Sequence, residues 1–168
     1  MARIDRAKRA LGGAIKRAKP SRAATIIAEQ GRAIGRVLDY GCGFGFDAET
    51  YGWEGYDPYY RPSEPEPLYD TVVCISVLNA LSRNNRTKVI TRIRSLLATD
   101  GRAYLAVPRD LPVTGKLGMH HSLQNYVVLT LPSIYRDERL EIYEMTRTAE
   151  FEDKTKDYVS RRDRGRDS

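Results

Sequence analysis

Three glycines at alternate positions, Gly41, Gly43 and Gly45, follow directly on the short apolar run Val37-Leu38-Asp39-Tyr40. Glycine packs no side chain and loses more backbone entropy on folding than any other residue. A cluster at a strand's end therefore implies backbone that turns sharply or is closely approached. Asp47-Ala48-Glu49-Thr50-Tyr51 has room for only a brief helix before Gly52, so the stretch predicts strand, glycine loop, helix. In open α/β sheets such a loop lies at the carboxyl end of a strand, where ligands bind.

The chain's 168 residues suit one compact domain. We divide it into a basic N-terminal helical arm at 1–20, a folded domain at 21–150 and a disordered charged tail at 151–168. Met1 to Arg22 holds eight Lys or Arg and one Asp, a charge of +7 in a chain whose net charge is +6, leaving −1 for the remainder. That arm is a solvated helix face or a contact for nucleic acid or another polyanion. Its Ile4, Leu11 and Ile15 form one apolar stripe broken at Gly12-Gly13 and stopped at Pro20. No apolar run approaches bilayer length and no secretory signal is evident, so the expected setting is cytoplasmic, with no membrane partner. Cys42 and Cys74 are expected as free thiols, and no residue is assigned to a metal.

Ser21 is the expected N-cap of a helix reaching about Gln30, with Ile26 and Ile27 facing the core beside the first strand. A second strand, Trp53 to Tyr56, stops at Asp57-Pro58. Four prolines between Asp57 and Asp70 exclude regular structure there. Thr71 to Ser76 is continuously apolar apart from its ends, the pattern of a central parallel strand buried on both faces. Val89, Ile90, Ile93, Leu96 and Leu97 mark a helix from near Asn85, closed by Thr99-Asp100-Gly101. Ala103 to Val107 is a further strand, Val113 to Asn125 a loop over one end of the sheet. Tyr126 to Tyr135 and Leu140 to Met145 are expected as an antiparallel hairpin, and the tail is expected to be disordered from about Glu152.

The spacing G-x-G-x-G differs from the G-x-G-x-x-G of dinucleotide binders, because Phe46 stands where a third glycine belongs. VLDYGCGFG, Val37 to Gly45, instead resembles motif I of class I S-adenosylmethionine-dependent methyltransferases. Asp57, at the end of the second strand, is similar to that family's ribose-binding acid, and Tyr69 to Leu81 resembles its motif IV. The resemblance implies an α/β, Rossmann-like sandwich: a mostly parallel sheet with a C-terminal antiparallel hairpin, truncated around the third strand because only the proline-rich Tyr59 to Leu68 is available for it.

The resemblance further implies S-adenosyl-L-methionine as cofactor. Asp39 would partner the methionine amino group, with Gly41, Cys42, Gly43 and Gly45 lining that part of the site. Asp57 would hold the ribose hydroxyls, Pro58 and Tyr59 or Tyr60 the adenine, with Glu64 or Glu66 nearby. Ser76 and Asn79 would border the methyl group and the acceptor. No acceptor signature of the amino-group or cytosine C5 DNA enzymes follows the central strand, so the acceptor is left open, nucleic acid among the options. Asn79, His120 and His121 are the catalytic candidates, a histidine serving as general base if the loop folds over the strand ends. The alternative is a catalytically inactive methyltransferase-like binding or scaffold module.

Overall fold

The computed structural model describes residues 14–160 and 163. Helix α1 (Arg22–Glu29) leads into strand β1 (Val37–Tyr40), short helix α2 (Phe46–Tyr51) and strand β2 (Glu54–Tyr56). Strand β3 (Tyr69–Ile75), helix α3 (Arg83–Leu96) and strand β4 (Leu97–Pro108) follow. Then come the two-residue strands β5 (Lys116–Leu117) and β6 (Leu123–Gln124) and the hairpin β7 (Ser133–Arg136) and β8 (Leu140–Thr146). The main sheet has the order β2-β1-β3-β4-β8-β7. Pairing is parallel from β2 through β4 and antiparallel from β4 through β8 to β7. The expected mostly parallel sheet with a terminal hairpin is present, and β2 forms its edge because the proline-rich segment adds no strand beyond it.

β3 is central, and its side chains from Thr71 to Cys74 are all buried. Val72 and Cys74 join one core with Ile90, Ile93 and Leu96 of α3. Val73 faces the opposite core with Ala23 and Ile27 of α1 and Tyr104, Ala106 and Ile142. Alternation on a strand thus sends neighbouring apolar residues into two separate layers. Ser21 caps α1 as expected, its Oγ accepting the Ala24 N–H at 3.2 Å. The helix lies against the face made by β3, β4 and β8, a layer shared through Val73, Tyr104 and Ile142.

Four expectations change. Residues 14–20 hold no helix, and the rest of the expected arm, 1–13, lies outside the described residues. The segment 126–132 is not a strand of the hairpin, although Val127, Leu129 and Leu131 alternate into the core. Its backbone partners lie mainly in the chain after β8: Lys154 N–H donates to Val128 O at 2.8 Å and Thr130 N–H to Glu152 O at 3.1 Å, with Pro132 O alone accepting from a β8 amide, Glu144 N–H at 2.9 Å. The tail expected to be disordered from Glu152 is therefore laid along this segment as far as Tyr158, whose N–H donates to Asn125 Oδ1 at 2.8 Å. The helix expected to close at Thr99-Asp100-Gly101 ends at Leu96, and β4 begins at Leu97. A side chain at Gly101 would crowd Tyr69 O at 2.9 Å, which accounts for glycine at this irregular start.

Arg86 anchors the tail. Its fully buried guanidinium donates to Asp153 Oδ2 at 2.8 Å, Asp157 Oδ1 at 2.5 Å and Leu81 O at 2.8 Å. Breaking a buried charge network leaves uncompensated charge behind, which typically costs about 3–5 kcal/mol. Arg86→Met is expected to lower stability by roughly that amount in chemical denaturation and to expose residues after 150 to trypsin before the domain unfolds.

Candidate functional site

The site is built on the reversal between β1 and α2. Gly41, Gly43 and Gly45 all take left-handed φ values, 84°, 57° and 85°. Gly41 N–H and Cys42 N–H donate to Tyr56 O at 2.7 and 2.9 Å, tying the loop to the end of β2. Gly43 N–H donates to Asp57 Oδ2 at 3.1 Å, while Asp57 Oδ1 accepts Tyr59 N–H at 2.8 Å and Tyr60 N–H at 3.0 Å. Asp57 thus binds the glycine loop to the turn that follows β2, and among the described residues its Oδ2 accepts from Gly43 alone, which leaves it a further acceptor position.

The space beside the glycines is filled by the chain's own side chains. A Cβ at Gly41 would overlap Val77, one at Gly45 would overlap the Arg61 guanidinium, and one at Gly43 would lie 3.1 Å from Ala14 Cβ. Arg61 is fixed there by donating to Phe44 O at 3.1 Å and by its ion pair with Glu49. Sequence pattern carries no signal for these three contacts, since each joins the loop to a residue from another part of the chain.

Asp39, the third residue of β1, has its carboxylate buried and no hydrogen bond from any described donor. Burial first, and then the negative charges of Asp47 and Asp57, push its pKa up to about 8, against a smaller opposing effect from Arg17. Asp47 is itself buried, accepting Ser21 N–H and Ser21 Oγ–H at 2.7 Å each, so α2 is clipped to the cap of α1. Burial also pushes the Cys42 thiol up to about 12 and raises that of Cys74 further, leaving both protonated and neither in a disulfide. A thiol so held is no nucleophile at neutral pH.

A cavity of about 750 Å³ opens at the carboxyl end of β3. Ser76 lies on its wall with a left-handed φ of 55°, together with Arg17 and Ser21 and with Asp137, Glu138 and Arg139 of the β7–β8 turn. The remaining expected residues are distributed around this frame. Pro58 and Tyr59 are exposed on the turn after β2, while the Tyr60 ring packs on Phe44 of the glycine loop at a tilt, with the centroids 4.4 Å apart. Glu64 meets Tyr56 and Arg92, and Glu66 contributes its carbonyl to Arg36.

Asn79 is buried, its Nδ2 donating to Gln124 Oε1 at 2.9 Å and its Oδ1 lacking a partner among the described residues. It does not line the cavity. His120 and His121 are exposed on the turn between β5 and β6, both with φ 58°, and neither reaches the Ser76 cavity. The loop expected to fold a histidine over the strand ends is instead held by pairing of its own two short strands, Lys116 with Gln124 and Leu117 with Leu123.

A mostly parallel sheet whose first two strands end in a glycine loop and two acids defines the class I methyltransferase fold. The structure is similar to that of a 1,6-didemethyltoxoflavin N1-methyltransferase from Burkholderia thailandensis, solved with 1,6-didemethyltoxoflavin and S-adenosylhomocysteine. That likeness has a TM-score of 0.50 and 16% identity, covering 73% of this chain and 75% of the other. A magnesium protoporphyrin IX methyltransferase from Synechocystis PCC 6803, solved with S-adenosylmethionine, is similar at TM-score 0.45 and 18% identity, over 74% and 76% of the two chains. No curated protein matches the chain in sequence. The methyltransferase domain family matches residues 6–152, and the chain belongs to that family. The resemblance seen in VLDYGCGFG is thereby borne out. Among the described residues no helix is long and apolar enough to cross a membrane.

Two outcomes are expected. An Asp39 that titrates near 4 in the unfolded chain and near 8 in the fold costs nothing below pH 4. It costs progressively more as pH rises from 4 to 8, because only the unfolded form ionises freely there. Asp39→Asn should therefore raise Tm relative to the parent more at pH 8 than at pH 4. Gly41→Ala combines a left-handed φ with overlap of Val77. It is expected to cost roughly 1–3 kcal/mol in denaturant titrations, part of which Val77→Ala should restore.

Proposed function

We propose that the protein catalyses S-adenosylmethionine-dependent methyl transfer to an acceptor seated in the cavity at Ser76. One observation carries the reading: a buried carboxylate, Asp39, lies at the end of β1 beside the glycine loop with no described donor on it. A buried acid without hydrogen bonds or a close ion-pair partner costs free energy, and a ligand ammonium removes that cost. The donor set fits the cofactor at a second point, since Asp57 keeps an acceptor position for a hydroxyl.

S-adenosylmethionine, when bound, supplies a methyl group already activated on a sulfonium. The protein's task is then alignment and exclusion of water rather than strong acid or base chemistry. Asp39 holds the amino group, Asp57 the ribose hydroxyls, and Tyr59 offers an aromatic face on the exposed turn for the base. Ser76 positions the acceptor with its hydroxyl and the backbone around it. Neither histidine takes part, and Asn79, bonded to Gln124, lies off the cavity wall. The cavity's size admits a small molecule or a single base presented by a nucleic acid, the second supported by the positive charge of Met1 to Arg22.

A non-catalytic module is the second reading, favoured by Val77, Ala14 and Arg61 filling the space beside the glycines. Calorimetry separates the two. S-adenosylhomocysteine should bind and NAD should not, whereas absence of binding by both sulfur nucleosides would leave only the module. Because the ligand ammonium needs Asp39 ionised, affinity should rise between pH 6 and pH 8 with release of a proton, and Asp39→Asn should bind more weakly with a flat profile. An acceptor carried by nucleic acid would show binding that weakens steeply with salt, and a free small molecule would not.

A further inference from the structure

We propose that residues 14–21 form a hinged strap that completes the donor site, with Arg17 binding the carboxylate of the donor's amino-acid part while Asp39 holds its ammonium. The assignment rests on the donor reading above. Ala14 lies against Gly43, within 3.1 Å of where that residue's Cβ would be. Arg17 lines the same cavity as Ser76 and Ser21, and it forms no ion pair within 4.0 Å with any described carboxylate.

Arg17 is also the cation that acts on Asp39, and the two charges nonetheless do not close into a pair. Opposite charges held apart at one end of the sheet are complementary to a zwitterion, whose ammonium meets the acid and whose carboxylate meets the guanidinium. A guanidinium suits the second task because it can present two parallel N–H donors to one carboxylate. The neighbouring carboxylate of Asp137 does not compete for Arg17. It is engaged by the Arg22 ion pair, by Tyr135 Oη–H at 2.6 Å and by the N–H groups of Arg139 and Leu140 at 2.8 and 2.9 Å.

The same segment has a fixed end. Ser21 is clipped to Asp47 by two hydrogen bonds of 2.7 Å and begins α1, whereas 14–20 has no regular structure and exposes Lys16, Arg17 and Lys19. The strap already rests on the glycine loop through Ala14, and a ligand gripped by Arg17 holds it there against the fixed end at Ser21.

The test compares S-adenosylhomocysteine with 5′-methylthioadenosine, which lacks the amino-acid part, by calorimetry on the full chain and on Arg17→Met and Arg17→Lys. Arg17→Met is expected to weaken S-adenosylhomocysteine roughly tenfold or more, the scale of a lost charge-assisted hydrogen bond, with 5′-methylthioadenosine unchanged and Arg17→Lys intermediate. In the parent chain, S-adenosylhomocysteine should slow tryptic cleavage after Lys16 and Arg17, and 5′-methylthioadenosine should not. Equal S-adenosylhomocysteine affinity in Arg17→Met and parent, or equal losses for both ligands, would overturn the clamp while leaving the donor reading standing. Failure of the parent chain to bind either ligand would overturn the donor reading and the strap's role together.

Discussion

Everything at the carboxyl end of the sheet depends on how residues 41–45 turn the chain from β1 into α2. The turn needs left-handed backbone at three alternate positions, and it is held by two amides on Tyr56 O and one on Asp57. Because those bonds reach the end of β2, the loop's shape and the β1–β2 pairing are one constraint. Fixing the loop fixes where Asp39 and Asp57 stand relative to each other. Glycine is required here less for empty space than for conformation, since Val77, Ala14 and Arg61 occupy the ground its side chains would need.

Charge then organises the site. Three acids, Asp39, Asp47 and Asp57, are buried around the loop, each with a different supply of donors. Asp47 accepts from both the amide and the hydroxyl of Ser21, and Asp57 accepts from three backbone amides. Asp39 receives none from a described residue and is the one held far above the ordinary carboxylate range. The difference marks two acids as structural fasteners and leaves the third as the group that our proposal gives to the ligand ammonium.

Away from the site, two buried arginines do for irregular chain what ladders do for strands. Arg86 fastens the segment after β8 through Asp153 and Asp157. Arg109 holds residue 127 and β8 together through Val127 O, Glu141 and Tyr143 Oη, with the contacts to Val127 O and Tyr143 Oη at 2.8 and 2.7 Å. The expectations of a disordered tail and of a strand over Tyr126 to Tyr135 rest on local composition and pattern, which carry no record of these distant partners. Burial of a charge is decided by partners tens of residues away, and no local pattern reports it.

Local signals were enough wherever one segment's own pattern decides its state. The continuous apolar run of β3, the stripe of α3 up to Leu96, the Ser21 cap, the proline barrier after Asp57 and the alternate glycines all specified their structures directly, and together they specified the fold. The tertiary structure alone decided which side chains fill the glycine loop, which of three acids lacks donors, that Ser76 faces the cavity while His120 and His121 do not, and that the charge of Arg17 reaches Asp39. Those are properties of pairs distant in the chain. Propensity and periodicity act over a few residues, whereas desolvation and charge complementarity depend on whatever the fold brings together.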